Sequence, residues 1–88
     1  MELSERIIKQ LESEGHSTVY EIFDDPNYIY PIHNHKTEHA IIITEGSMEV
    51  TINEKIKTYN AGDHFKIPKD AKHIVKIGPD GCKYVIGE

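Results

Sequence analysis

Four of the six histidines in this 88-residue chain, His33, His35, His39 and His73, are the residues whose type and spacing could do chemistry. Imidazole is the commonest metal ligand among side chains, and it binds in its neutral form. A His-X-His pair on a β-strand turns both rings to one face, because side chains alternate with period two. His39 would join them from the next strand, and His73 from a strand much further along. The four rings can converge only if the intervening segments are strands of one small barrel. A shared cation would then satisfy rings whose unpaired burial costs roughly 1–3 kcal/mol each.

The pattern of apolar residues supplies those strands. Leu3, Ile7, Ile8 and Leu11 recur at helical spacing, with Ser4 able to cap and Gly15 able to stop the helix. This predicts one short amphipathic helix over residues 4–14, acting as a lid or a dimer-packing arm. Beyond Gly15 the period changes to two. Strands are expected at Ser17–Phe23, Tyr28–His33, Glu38–Thr44, Ser47–Asn53, Lys55–Tyr59, Asp63–Ile67, His73–Ile77 and Cys82–Ile86. Turns fall at Asp24-Asp25-Pro26-Asn27, Glu45-Gly46, Asn53-Glu54, Asn60-Ala61-Gly62 and Gly78-Pro79-Asp80-Gly81. Short strands at such regular spacing mean an all-β sandwich or barrel, here over residues 17–86 of a single domain spanning 1–88.

Strand parity sorts the histidines. Ile29, Pro31, His33 and His35 should share one face, opposed to Tyr28, Tyr30 and Ile32. His39, Ile41 and Ile43 should share a face, as should His73, Val75 and Ile77 against Lys72, Ile74 and Lys76. Each of the four rings is therefore expected to point inward. A single inward histidine is ordinarily a core residue satisfied by a neighbour, so a metal-free barrel stays open as a reading. His16 follows the helix stop and is expected in solvent, and His64 alternates with Lys66 and is expected to point outward. Tyr20, Tyr28, Tyr30 and Tyr84 are candidate hydrogen-bond donors near the centre, or plain packing. Cys82 alternates with Tyr84 and Ile86 and reads as a small buried hydrophobe rather than a nucleophile.

Bulk properties narrow the function classes. Ten basic against fifteen acidic side chains leave a formal charge of -5, which argues against a nucleic-acid partner. No run approaches the ~18 apolar residues of a membrane helix. One cysteine allows no internal disulfide and suits a reducing cytoplasm. A chain this short buries only about 60–65% of its unfolded surface, so a homodimer is the expected assembly.

Taken together, two stretches resemble the paired motifs of the cupin family. The first motif runs glycine, His-X-His, glutamate, glycine; here those slots hold Asn27, His33 and His35, His39 and Gly46. The second runs glycine, Pro-X-Gly, histidine, asparagine; here it reads Gly62, Pro68 with Asp70, His73 and Ile77. Asn27 and Asp70 stand for glycines, and Asn and Asp tolerate positive φ better than other residues. Ile77 cannot make the hydrogen bond of the asparagine. His39 stands where the glutamate is expected, with Glu38 as the alternative ligand only if a bulge turns it inward.

The resemblance implies a double-stranded β-helix, a jelly-roll barrel with a short N-terminal α-helix. It also implies a divalent first-row transition metal (Fe, Mn, Ni, Zn or Cu) on His33, His35, His39 and His73. Four neutral imidazoles would leave such a site at +2 and without a carboxylate base. The implied activity is that of a metal-dependent dioxygenase or Lewis-acid enzyme acting on a small oxygen-rich molecule. The alternative is a non-catalytic module that binds or senses a metal or small ligand.

Overall fold

The computed structural model describes residues 2–88. Helix α1 (Leu3–Ser13) is followed by β1 (Val19–Asp24), β2 (Ile29–His33), β3 (His39–Ile52), β4 (Lys55–Asn60), β5 (His64–Ile67) and β6 (His73–Gly87). All pairings are antiparallel. Their register resolves into two four-stranded halves. In one, β5, the first half of β3, the second half of β6 and β1 lie side by side. In the other, β4, the second half of β3, the first half of β6 and β2 do. This is the jelly-roll arrangement expected of the sequence.

Eight separate strands were expected, and two pairs of them run on without a break. Glu38–Thr44 and Ser47–Asn53 are parts of β3; His73–Ile77 and Cys82–Ile86 are parts of β6. Each long strand crosses from one half-barrel to the other at the same level. There the register shifts: Gly46 lies opposite Cys82 and Met48 opposite Ile77, so Gly78-Pro79-Asp80-Gly81 forms a bulge against Ser47 rather than a loop between strands. Gly46 has φ 79° and Gly81 φ 81°, and a Cβ on Gly46 would run into the Gly81 carbonyl. The two strands bend together at a point where only glycine fits.

The turns follow the expected chemistry. Asn53 and Glu54, both at positive φ, form the two-residue connection from β3 to β4. Asn27 and Asp70 each have φ 64° and so take the conformation that glycine has in the motif.

The core between the half-barrels is built from alternating positions: Ile41, Ile43, Met48 and Val50 of β3 meet Val75, Ile77, Tyr84 and Ile86 of β6. Ile77, in the asparagine slot, is fully buried in this apolar core. A second cluster lies outside it, where Ile7 and Leu11 of α1 pack on Ala40, Ile42, Val19 and Val85. Ile7 and Leu11 of the helix's apolar stripe are thus spent on the barrel's own outer face, while Leu3 stays exposed. It starts at Leu3, a residue earlier than expected. Glu2 occupies the N-cap position without a side-chain bond, so Ser4 does not cap. Gly15 at φ 99° ends it, with Gly15 N–H donating to Glu12 O and His16 N–H to Leu11 O.

Candidate metal centre

Two neighbouring strands deliver the first pair of rings. His33 ends β2 and His73 opens β6, and the two are direct cross-strand partners. His35 lies two residues beyond the strand, so strand alternation alone does not hold it. Its backbone carbonyl accepts the Asp70 N–H at 2.7 Å, which ties this loop to the turn before β6. His39 is the first residue of β3, opposite Ile67 of β5.

The parity expected for β2 fails in its first half. Register shifts between Tyr30 and His33, so both face inward, while Ile29 and Ile32 are exposed. A bulge at Pro31-Ile32 absorbs the odd spacing, on an edge strand where proline costs no ladder bond. Elsewhere parity holds: His39, Ile41 and Ile43 face in, as do His73, Val75 and Ile77. His64 is exposed, as expected. His16 is not free in solvent; it is half-buried, with its ring packed over Gly87.

His33, His35 and His73 each turn one possible ligand atom into a group lying within 4.8 Å of one another. Their ring centroids are 4.2 Å apart for His33 and His73, 4.8 Å for His33 and His35, and 5.3 Å for His35 and His73. Backbone carbonyls set two of the tautomers. His33 Nδ1 lies 2.6 Å from Pro31 O, and His73 Nδ1 lies 2.9 Å from Ala71 O. A carbonyl only accepts, so each Nδ1 carries the hydrogen and each Nε2 keeps its lone pair. Burial lowers the pKa of His35, and the neighbouring His39, His33 and His73 lower it further against an opposing pull from Glu88. Burial also lowers His73, partly offset by its bond to Ala71. His35 and His73 therefore favour the neutral imidazole, the form that ligates.

The fourth histidine stands apart from that trio. His39 is 5% exposed, and its ring stacks on His35 at 4.1 Å between centroids with 24° between planes. Its Nε2 lies 3.1 Å from Glu88 Oε1. The geometry is too bent for a hydrogen bond, so this buried nitrogen has no partner. Glu38 stays at the surface, 3.7 Å from Lys66 Nζ. Sequence reading missed Glu88 altogether. It lies far outside the motifs, and only the β3–β6 register, in which Ala40 faces Gly87, brings it beside His39.

The rings stand at one end of a cavity of about 360 Å³ between the half-barrels. Its walls are mainly apolar, with Ile22, Ile41, Met48 and Val75 among them, and Tyr30 and Tyr84 line it as well. At the level where the strands cross over, Tyr84 Oη donates to Asp24 Oδ2 at 2.6 Å, and Tyr30 Oη lies 2.8 and 2.9 Å from the two Asp24 oxygens. Asp24 was expected in a turn, but it is the last residue of β1, paired with Cys82. Burial and the bond to Asp24 push the Tyr30 phenol up to about 12 and Tyr84 further still, so both remain donors. Burial, with Asp24 nearby, pushes the Cys82 thiol up to about 11, as suits a packing residue.

Residues 24–85 match the family model of the cupin domain. The chain belongs to the cupin family. Solved structures agree in fold. An RmlC-like cupin from Shewanella frigidimarina is 25% identical with TM-score 0.70, over 78% of this chain and 61% of that one. The polyketide cyclase RemF from Streptomyces resistomycificus is 28% identical with TM-score 0.69, over 78% of this chain and 51% of that one. A variant of oxalate decarboxylase from Bacillus subtilis is 21% identical with TM-score 0.73, over 90% of this chain and 22% of that one. The chain therefore spans less than two thirds of each of these three proteins. No curated protein matches it in sequence. No described helix is long and apolar enough to cross a membrane.

The donor set of this cupin fits a metal. Three imidazoles converge, and two of them have their Nε2 lone pairs fixed by carbonyls. An all-nitrogen set of this kind suits Zn, Cu, Fe and Ni.

Proposed function

We propose that this cupin holds a divalent first-row metal on His33, His35 and His73, with His39 as the fourth donor, and acts on a small oxygen-bearing molecule bound in the cavity. The convergence of three imidazoles within 4.8 Å carries the reading. A cation bound there supplies a Lewis acid that anchors an anionic oxygen and acidifies bound water, with dioxygen chemistry open to a redox-active metal. The carbonyls of Pro31 and Ala71 keep His33 and His73 in the ligating tautomer. Ile22, Ile41, Met48 and Val75 keep water from the far side of the ligand. These walls favour a compact, largely apolar or aromatic molecule with its oxygens gathered at the histidine end, over a molecule polar on every side.

The protein is also proposed to work as a homodimer. Helix α1 covers the outer face of one half-barrel, while the outer face of the other is bare. Ile56 and Ile74 flank Thr51 in register there, and Ile32 is exposed on the neighbouring strand. The single, buried Cys82 suits the cytoplasm.

Elemental analysis of protein made without an affinity tag tests the metal. Wild type should retain a stoichiometric first-row metal, His33→Ala and His73→Ala should lose it, and His64→Ala should keep it. Metal content unchanged in both ligand variants would overturn the reading. Oxygen uptake or turnover with small diketones, thiols and phenols then separates an enzyme from a binding module.

A further inference from the structure

We infer that Glu88 is the residue that positions His39 at the metal centre, holding the Nε2 hydrogen so that Nδ1 is left as the lone-pair nitrogen. The inference rests on the metal reading above. It begins from an imbalance in the structure. His39 Nε2 is buried and makes no hydrogen bond, yet a carboxylate oxygen lies 3.1 Å away. Leaving such a nitrogen unpaired is costly, and a rotation of the ring or the carboxylate would turn this contact into a charge-assisted bond.

Glu88 is built into this place. Its N–H donates to Thr18 O at 2.8 Å, and its carbonyl accepts the Ser17 N–H at 3.2 Å. Its side chain is about two-thirds covered. Burial raises the Tyr20 phenol, and the nearby Glu88 carboxylate raises it further.

The consequence is specific to this chain. His33 and His73 give Nδ1–H to carbonyls and so keep Nε2 for the centre. His39 is turned the other way, with Nε2 toward Glu88, so its donor atom is Nδ1. The histidine in the glutamate slot of the motif thus brings a carboxylate behind it, from just beyond the C-terminal end of β6. A ligating histidine whose second nitrogen is held by a carboxylate is better oriented and more basic. Glu88 restores to the neighbourhood of the site the negative charge that four imidazoles alone would lack.

The test is a set of zinc affinities by competition with a chelating dye, together with histidine tautomers read from long-range proton–nitrogen NMR. Glu88→Ala should weaken Zn²⁺ binding by about 10-fold. The double variant with His39→Ala should bind no more weakly than His39→Ala alone. Glu38→Ala removes an equal charge one residue from His39 and should leave the affinity unchanged. In wild type the His39 hydrogen should sit on Nε2, and Glu88→Ala should lose that signature. Wild-type affinity in Glu88→Ala overturns the inference, as does an additive effect with His39→Ala, since Glu88 would then act on its own. If wild type binds no zinc, the metal reading falls instead. The tautomer of His39 in metal-free protein still decides the pair: a hydrogen on Nδ1, or no change in Glu88→Ala, refutes it.

Discussion

Replacing Tyr84 by Phe removes one oxygen from the crossover end of the cavity and should cost about 2 kcal/mol. Tyr84 is 4% exposed, and its hydroxyl donates to Asp24 at 2.6 Å. A hydrogen bond to a charged group contributes about 1.5–3 kcal/mol, and burial keeps water from replacing it. The ring stays, so no packing is lost. In a domain of this size each kcal/mol moves the melting temperature by roughly 4–8 °C, so the shift should be about 8–16 °C. Total stability at this length is about 4–13 kcal/mol, which makes the loss a large fraction. Tyr30→Phe should cost less, about 1 kcal/mol, because Tyr30 is only half-buried and water can reach Asp24 in its place. The double variant should depart from additivity by more than about 0.5 kcal/mol, because both phenols share one carboxylate. Urea denaturation of metal-free protein at pH 7 measures all three, with an unchanged denaturant slope as the sign that the folded state is intact. A Tyr84→Phe variant within about 0.5 kcal/mol of wild type would show that Asp24 is served by solvent and that the cluster is not structural.

Two further outcomes are expected. His35 and His73 have lowered pKa values in the fold, chiefly from burial, so between their folded values and about 6.5 the unfolded chain binds more protons. Their stabilisation is complete above about pH 6.5 and is lost as pH falls below it, more steeply with metal bound because protons compete for the rings; a flat profile of unfolding free energy between pH 8 and pH 5 would contradict the burial of these rings. For the assembly, light scattering after gel filtration should give a dimer for wild type and a monomer for Ile56→Asp with Ile74→Asp, and a monomeric wild type would remove the proposed interface.

Much of the architecture was legible because period-two patterning and turn residues are local signals. Met48, Val50 and Ile52 alternate with Glu49 and Thr51, and the hairpin at Asn53-Glu54 declares itself in a few residues. Asn27 and Asp70 could be read as turn formers because their positive φ needs no distant partner. Continuity was less legible. Gly46 and Gly78–Gly81 look like strand ends, yet they bend strands that continue, since β3 and β6 supply each other's hydrogen bonds through the crossover. The bulge at Pro31-Ile32 was invisible for a similar reason: the extra residue shows only against the partner strand, and it reversed the expected facing of Ile29 and Tyr30.

The histidine centre divides along the same line. Residue type and motif spacing, both properties of the chain alone, singled out His33, His35, His39 and His73 and the fold that could unite them. Distance and orientation are set by pairing between remote segments. The cross-strand match of His33 with His73 and the Asp70 bond to the His35 carbonyl gather three rings. The β3–β6 register turns the fourth toward Glu88, and the β1–β6 register draws Asp24 inward to Tyr30 and Tyr84. A carboxylate 49 residues from its histidine leaves no trace in local sequence, because what joins them is a ladder of backbone hydrogen bonds that any side chains could have made.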